Sequence, residues 1–261
     1  MFNTSKKSIL NSKLNLKPYP YIFIKKLLDK ESLKKLNQIL PSFEDLNSKE
    51  ILYQSKSQTK KTIMPDSKIY KQLKKNKHFK EFDKLFVRLK PYIIKKFRKE
   101  INNIVNYPFK DNQLKYHSSF SIMKKGYVKS SHIDRRDHLI TIIFYASSDH
   151  TKGGDISIDE LKKKTKIFDI FPEKQKVRSK KTYKAPGNSC LIILNTPSAY
   201  HSVTKYKGLE DRKYFYCVYD FPIKNSGSLK SNRKKGFNKN YFWKNKVGVF
   251  SKKRKNNFLT E

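Results

Sequence analysis

The chain has 261 residues, 36% hydrophobic and 13% aromatic, with 60 Lys and Arg against 22 Asp and Glu and a formal net charge of +38. That apolar fraction is below the globular average yet enough for the core of one large domain or two small ones, and no run approaches the ~18–20 consecutive apolar residues of a membrane helix. The opening MFNTSKKSILNSKLNL has no apolar stretch of the signal-peptide kind, so a soluble, cytoplasmic protein is expected, with Cys190 and Cys217 as reduced, buried thiols.

The charge resembles a nucleic-acid signature. However, only eight of the 60 basic residues are arginine. Lysines are spread along the whole chain, and Asn and Ile are abundant too, as a bias towards AT-rich codons would give. Generic lysine enrichment and a functional polyanion-binding surface are the two readings.

Residues 1–17 are polar and lysine-rich and read as a loose, basic N-terminus. YPYIFI (19–24) reads as a short strand. Asp29 is a candidate N-cap, after which Leu33, Leu36, Ile39 and Leu40 recur at helical spacing until Pro41. Residues 44–66 carry turn and polar signals. From Phe79 to Ile101 the residues Phe82, Leu85, Phe86, Leu89, Ile93 and Phe97 again follow helical spacing, and Pro91 should kink or split that helix. These elements make a helical support over 25–105.

Beyond about residue 112 the pattern changes to short apolar runs bounded by turn residues, as strands read. They are LKYHSSFSIM (114–123), LITIIFYA (139–146), GDISI (154–158), SCLIILN (189–195), HSVT (201–204) and KYFYCVYDF (213–221). A β core over 112–222 behind N-terminal helices points to a mainly β fold, a sandwich or jelly roll. The stretch 159–184 is basic and strand-poor, a solvated insertion or a lid. Residues 223–261 form a basic C-terminal tail with scattered aromatics (Phe237, Tyr241, Phe242, Trp243, Phe250), read as weakly ordered or as an arm for a partner.

The chemistry centres on His132-Ile133-Asp134. Residues i and i+2 of an extended segment point the same way, so this histidine and carboxylate can bind one metal together. The best third ligand is His201, which follows a strand and a Thr-Pro-Ser turn. Two histidines and one carboxylate on one face of an octahedron leave three positions open, which suits an iron(II) that must also take an oxoacid and dioxygen. Arg212 lies eleven positions on, and strand alternation groups it with Tyr214, Tyr216 and Val218, opposite Phe215, Cys217 and Tyr219. An inward arginine is costly unless it meets an anion, and its planar fork suits a carboxylate. Tyr214 is placed to add a hydroxyl.

The order HxD, GG turn, PxG, His, Arg resembles the iron(II)/2-oxoglutarate oxygenases of the prolyl-4-hydroxylase-like group. The matching pieces are KKGYVKSSHIDRRDHLITIIFYA, TKGGDISI, KAPGNSCLIILNTPSAYHSV and GLEDRKYFYCVYDF, with KPYPYIFIKKLLDKESLKKLNQILP similar to a lead-in of bacterial members. The resemblance covers roughly 18–222. It implies a double-stranded β-helix (jelly-roll, cupin-like) core in which His132, Asp134 and His201 hold Fe(2+) and Arg212 salt-bridges 2-oxoglutarate. The implied enzyme is a dioxygenase that uses O2 and hydroxylates its substrate, with ascorbate as a candidate reductant.

Two positions depart from that pattern. Met123 stands where many prolyl hydroxylases carry a tyrosine that helps hold the oxoacid, so Tyr127 and Tyr145 are the candidates to replace it. Tyr214 stands where many members have serine. Asn195 is a pocket candidate or a turn residue, Asp155 a surface or site-mouth residue. His117, His138 and His150 compete as ligands but lack the i+2 carboxylate, and His138, within DRRDH, reads as solvated. The substrate stays open between a protein side chain, a small metabolite or sugar intermediate, and a nucleobase. The alternative function is a nucleic-acid-binding jelly roll.

Overall fold

The computed structural model describes residues 1–46, 53–54, 58–146, 152–222 and 242–251. Helices are α1 Phe2–Asn11, α2 Lys30–Ile39, α3 Lys68–Leu73, α4 Lys77–Asp83 and α5 Leu85–Ile104. Strands are β1 Tyr21–Ile24, β2 Tyr53–Gln54, β3 Lys60–Ile63, β4 Lys115–Met123, β5 Lys129–His132, β6 His138–Tyr145 and β7 Ile156–Leu161. They continue with β8 Ile167–Phe168, β9 Val177–Tyr183, β10 Cys190–Leu194, β11 His201–Val203, β12 Arg212–Asp220 and β13 Val249–Phe250.

A large antiparallel sheet has the order β1-β10-β6-β12-β4-β3-β2 and a small one the order β5-β11-β7-β9. From β4 to β12 the chain passes back and forth between them: β4 large, β5 small, β6 large, β7 and β9 small, β10 large, β11 small, β12 large. That alternation is the double-stranded β-helix, or jelly roll. Met123, Ile143, Tyr145, Leu191, Ile193 and Tyr214 of the large sheet form one buried cluster with Ile156 and Ile158 of the small sheet.

The opposite face of the large sheet carries the helices. Phe79, Phe82, Phe86 and Phe97 pack with Phe120, Phe144, Phe215 and Tyr219, the Phe82 and Phe215 rings 4.5 Å apart. Each such fully buried aromatic contributes roughly 1.5–3 kcal/mol. The alternation in β12 is as the sequence implies, with Phe215, Cys217 and Tyr219 on the helical side and Tyr214 and Tyr216 between the sheets. Asp29 caps α2 by accepting from the Ser32 amide. Both cysteines are free and buried.

Four expectations need correction. Residues 1–17 are not loose: α1 buries Ile9 in the core, and Ser5 Oγ donates to the Leu27 carbonyl. Pro91 does not split its helix, since α5 runs through it. Pro91 and Val87, the residue four before it, are both exposed, and the break falls at Lys84 instead. The stretch 159–184 is not strand-poor, because β9 closes the small sheet against β7. Its burial runs intermediate, exposed five times, intermediate, so it lacks the apolar alternation that betrays a strand. The tail is partly core: Trp243 is 1% exposed and pairs with Val105, and β13 lies parallel to β8. Phe237 and Tyr241, with the rest of 223–241 and 252–261, lie outside the described residues, as does His150.

No described helix is long and apolar enough to cross a membrane.

Candidate metal centre

The small sheet brings the two histidines together. His132 ends β5, His201 opens β11, and the two are register partners, their rings 4.3 Å apart. Asp134 follows β5 on the loop that climbs to β6. Its Oδ1 lies 3.7 Å from His132 Nε2 and its Oδ2 3.8 Å from His201 Nε2. Of the described residues, these three form the group whose ligand atoms all lie within 4.8 Å of one another.

The backbone sets the tautomers. His132 Nδ1 is 2.9 Å from the Ser130 carbonyl, and His201 Nδ1 is 3.1 Å from the Ala199 carbonyl. A carbonyl only accepts, so each Nδ1 carries the proton and each Nε2 presents a lone pair towards Asp134. Burial, then the neighbouring His201, hold the His132 imidazole down to about 3. Burial works against the Asp134 carboxylate, yet His201, His132 and His138 around it and the Thr141 hydroxyl keep it below its usual range. Thr141 Oγ1 donates to Asp134 Oδ2 at 2.7 Å, which leaves Oδ1 as the freer ligand atom. The His132 imidazole is held neutral and the Asp134 carboxylate charged, the state in which each binds a metal.

Donors on adjacent corners of an octahedron lie about 3 Å apart for bonds of roughly 2.0–2.2 Å. The donors here close on that spacing by small movements. The residue types and geometry fit a divalent iron on three corners with three corners left for ligands.

Arg212 opens β12 and is fully buried. Its guanidinium lies over the Tyr145 ring, 4.3 Å from the centroid. Nη2 donates to the Ala185 carbonyl at 2.9 Å and Nη1 to the Gly154 carbonyl, while Nε, also buried, has no partner among the described residues. Gly154 has φ +70, and a Cβ there would fall on the guanidinium. This is why the Gly-Gly turn sits beside the arginine. Tyr145, Tyr127 and Tyr214 share the inter-sheet cluster with Met123, and Met123 is Arg212's register partner on β4. Burial pushes the Tyr145 phenol up to about 12, against the pull of Arg212. An unpaired guanidinium N–H beside tyrosine rings is a fit for a ligand carboxylate.

The inner face of β12 connects the two places. Tyr214 follows Arg212, and then Tyr216, whose hydroxyl meets Asp134 and Thr141. Four residues of strand span about 13–14 Å at the backbone.

Asn195 takes a different job from the pocket role considered for it. Its Nδ2 donates to the Arg135 carbonyl at 2.8 Å and the His138 carbonyl at 3.3 Å, so it ties down the loop that carries Asp134. His138 is not solvated: it is 5% exposed, and its Nδ1 lies 2.5 Å from Asp220 Oδ1. The Asp155 backbone amide donates to the Thr204 hydroxyl oxygen at 2.8 Å. Sequence reasoning missed Thr141, Asp159 and Phe171. Phe171, from the insertion, lies parallel to the His132 ring with centroids 6.3 Å apart. Asp159 is a buried carboxylate on β7. Only Thr141 left a signal, as a polar residue inside an apolar strand run.

No protein-family model matches the chain, and no curated protein matches it. Similar solved structures include a prolyl 4-hydroxylase from Phytophthora capsici, 11% identical with a TM-score of 0.48 over 91% of this chain and 73% of that one. A prolyl hydroxylase from Trichoplax adhaerens, solved with a hypoxia inducible factor peptide, is 14% identical, with a TM-score of 0.47 over 82% and 88%. A 2OG-Fe(II) oxygenase family oxidoreductase from Burkholderia pseudomallei is 9% identical, with a TM-score of 0.46 over 77% and 84%. Strand order and site geometry define the class independently: a double-stranded β-helix protein that gathers two histidines and one aspartate at the β5–β11 side of its small sheet.

Proposed function

We propose that the chain is an iron(II)- and 2-oxoglutarate-dependent dioxygenase that hydroxylates a protein side chain or a small metabolite. One observation carries this: three metal-type donors converge with their lone pairs aimed at one point, and the same barrel buries an arginine with an unpaired N–H. His132, Asp134 and His201 would hold the iron. Arg212, with Tyr145 beneath it and Tyr214 and Tyr127 nearby, would hold the distal carboxylate of 2-oxoglutarate. When loaded, such a centre supplies oxygen-dependent decarboxylation of 2-oxoglutarate to succinate, coupled to hydroxylation of a C–H bond, with ascorbate as a reductant.

The chain's own part is orientation and exclusion of water. Ser130 and Ala199 carbonyls fix the two imidazoles. Thr141 and Tyr216 occupy one side of Asp134 and turn its other oxygen to the metal position. Tyr145 keeps the Arg212 guanidinium flat and dry, and in a low dielectric its pairing with a carboxylate is strong. Phe171 shields the open side of His132.

Oxygen-dependent succinate release tests this. Arg212→Lys keeps the charge and loses the fork. Losing one charge-assisted hydrogen bond costs roughly 1.5–3 kcal/mol, so the KM for 2-oxoglutarate should rise about ten- to a hundredfold with metal affinity unchanged. A monocarboxylic oxoacid, lacking the distal carboxylate, should be nearly indifferent to the substitution. An unchanged KM in Arg212→Ala would remove Arg212 from the cosubstrate site.

A further inference from the structure

We infer that the buried pair His138–Asp220 positions Asp134 for metal binding, so that both act as positioning residues of the centre. The inference rests on the metal-site reading above. Asp134 sits on an irregular loop between β5 and β6, and nothing in β5 alone aims its carboxylate. Residues 133–137 carry four charged side chains in five positions. Left alone, such a loop would be solvated and variable.

Here it is held at its far end. His138 is the first residue of β6, and Asp220, the last of β12, is its register partner. The Asp220 carboxylate bridges two imidazoles, His138 Nδ1 at 2.5 Å and His117 Nε2 at 3.3 Å. His117 is 55% exposed, whereas the side chains of His138 and Asp220 are 6% and 11% exposed. From this fixed point the loop is drawn in by its backbone. The Phe221 amide donates to the Asp137 carbonyl at 3.0 Å and the His138 amide to the Arg135 carbonyl at 3.1 Å. Asn195 closes the same turn.

A buried polar pair is poor evidence for stability, because two well-packed apolar side chains do as well or better. Its use here is specificity of position. It sits four residues from a metal ligand and closes the turn that contains that ligand. Outer partners that orient a ligand typically matter ten- to a hundredfold in metal affinity.

The test is Co(II) titration of the full chain, read by visible absorption, with no turnover required. Asp220→Asn and His138→Asn should each weaken Co(II) binding by about tenfold or more and change the bound-metal spectrum. Leu36→Ala serves as the control, since it removes packing of α2 in the helical layer and should bind Co(II) as the parent does despite a lower Tm. His117→Ala, an exposed change that cannot prevent folding, should cost about two- to threefold by freeing one side of Asp220. The inference is overturned if the Asp220 and His138 variants keep the parent's affinity and spectrum. It is also overturned if Leu36→Ala loses as much affinity as they do, because the effect is then global stability. If the parent itself takes up no Co(II), the metal-site reading falls with it, which is a distinct result from a parent that binds and variants that bind equally.

Discussion

Single residues around the centre differ in which state of charge the fold prefers. Asp159 lies on β7 behind His201 and is 3% exposed. Burial pushes its carboxyl up, against the Ser202 hydroxyl, which stabilises the charged form. A raised folded pKa means that the native state binds this proton more readily than the unfolded chain. Stability is therefore lost as pH rises through the unfolded value of about 3.9 towards the raised folded one, and the cost persists at neutral pH. Asp159→Asn, which never carries the charge, should raise Tm at pH 7 and lose that advantage near pH 3. Thermal denaturation of metal-free protein at the two pH values checks this, and an equal Tm difference at both would mean that charge is not the cause.

At this scale the sequence was legible where chemistry and periodicity coincide. His132 and Asp134 stand two apart, Arg212 alternates with apolar partners, and both patterns survive folding. His138 was illegible for the opposite reason. Its neighbours Arg135, Arg136 and Asp137 suggest solvent, and only the pairing of β6 with β12 reveals Asp220 beside it. Asn195 was ambiguous because an amide at a strand end serves a turn and a pocket equally well, until the carbonyls it meets are known.

At the scale of elements, the unexpected contribution comes from the chain's last described segment. Phe242 stacks on Phe221 at 4.5 Å, and Trp243 packs edge-on against the same ring. The Asn106 amide donates to the Phe242 carbonyl at 2.8 Å. Further on, the Ser251 carbonyl accepts from Arg136 at 3.0 Å, and β13 holds β8 of the insertion. The segment thus reaches from the helical layer to the loop that bears Asp134. Trp243→Ala should cost about 3–5 kcal/mol, the usual range for a buried large aromatic, measurable by urea denaturation. A loss below about 1 kcal/mol would mean that this residue is not part of the cooperative core.

Neither end of the chain announced such order. α1 buries just Ser5 and Ile9, too few to give a periodic stripe in a sequence full of lysine. The C-terminal aromatics are isolated within basic, polar sequence, so no period marks them. The strands of the barrel were legible because each is an apolar run with a turn at both ends, and β9 was not because it is an exposed, charged edge.

For the whole molecule, the net charge of +38 bears on the kind of substrate the centre would take. Exposed lysines lie on the helices, such as Lys34 and Lys95, and on the small sheet, such as Lys180 and Lys181. With the exposed lysines of the described residues spread over both layers, turnover should respond weakly to salt. A substrate bound through several phosphates would lose about a thousandfold in affinity between ~50 and ~200 mM salt, so a change under about tenfold in succinate release speaks for a substrate that is not a polyanion. The oxygenase reading is tested most directly by anaerobic titration with iron(II) and then 2-oxoglutarate, followed by visible charge-transfer absorption of the chelated oxoacid. The account predicts an absorption that saturates at one equivalent in the parent, needs roughly ten- to a hundredfold more 2-oxoglutarate in Arg212→Lys, and is absent in Asp134→Ala. No absorption in the parent, or an undiminished one in Asp134→Ala, would contradict it.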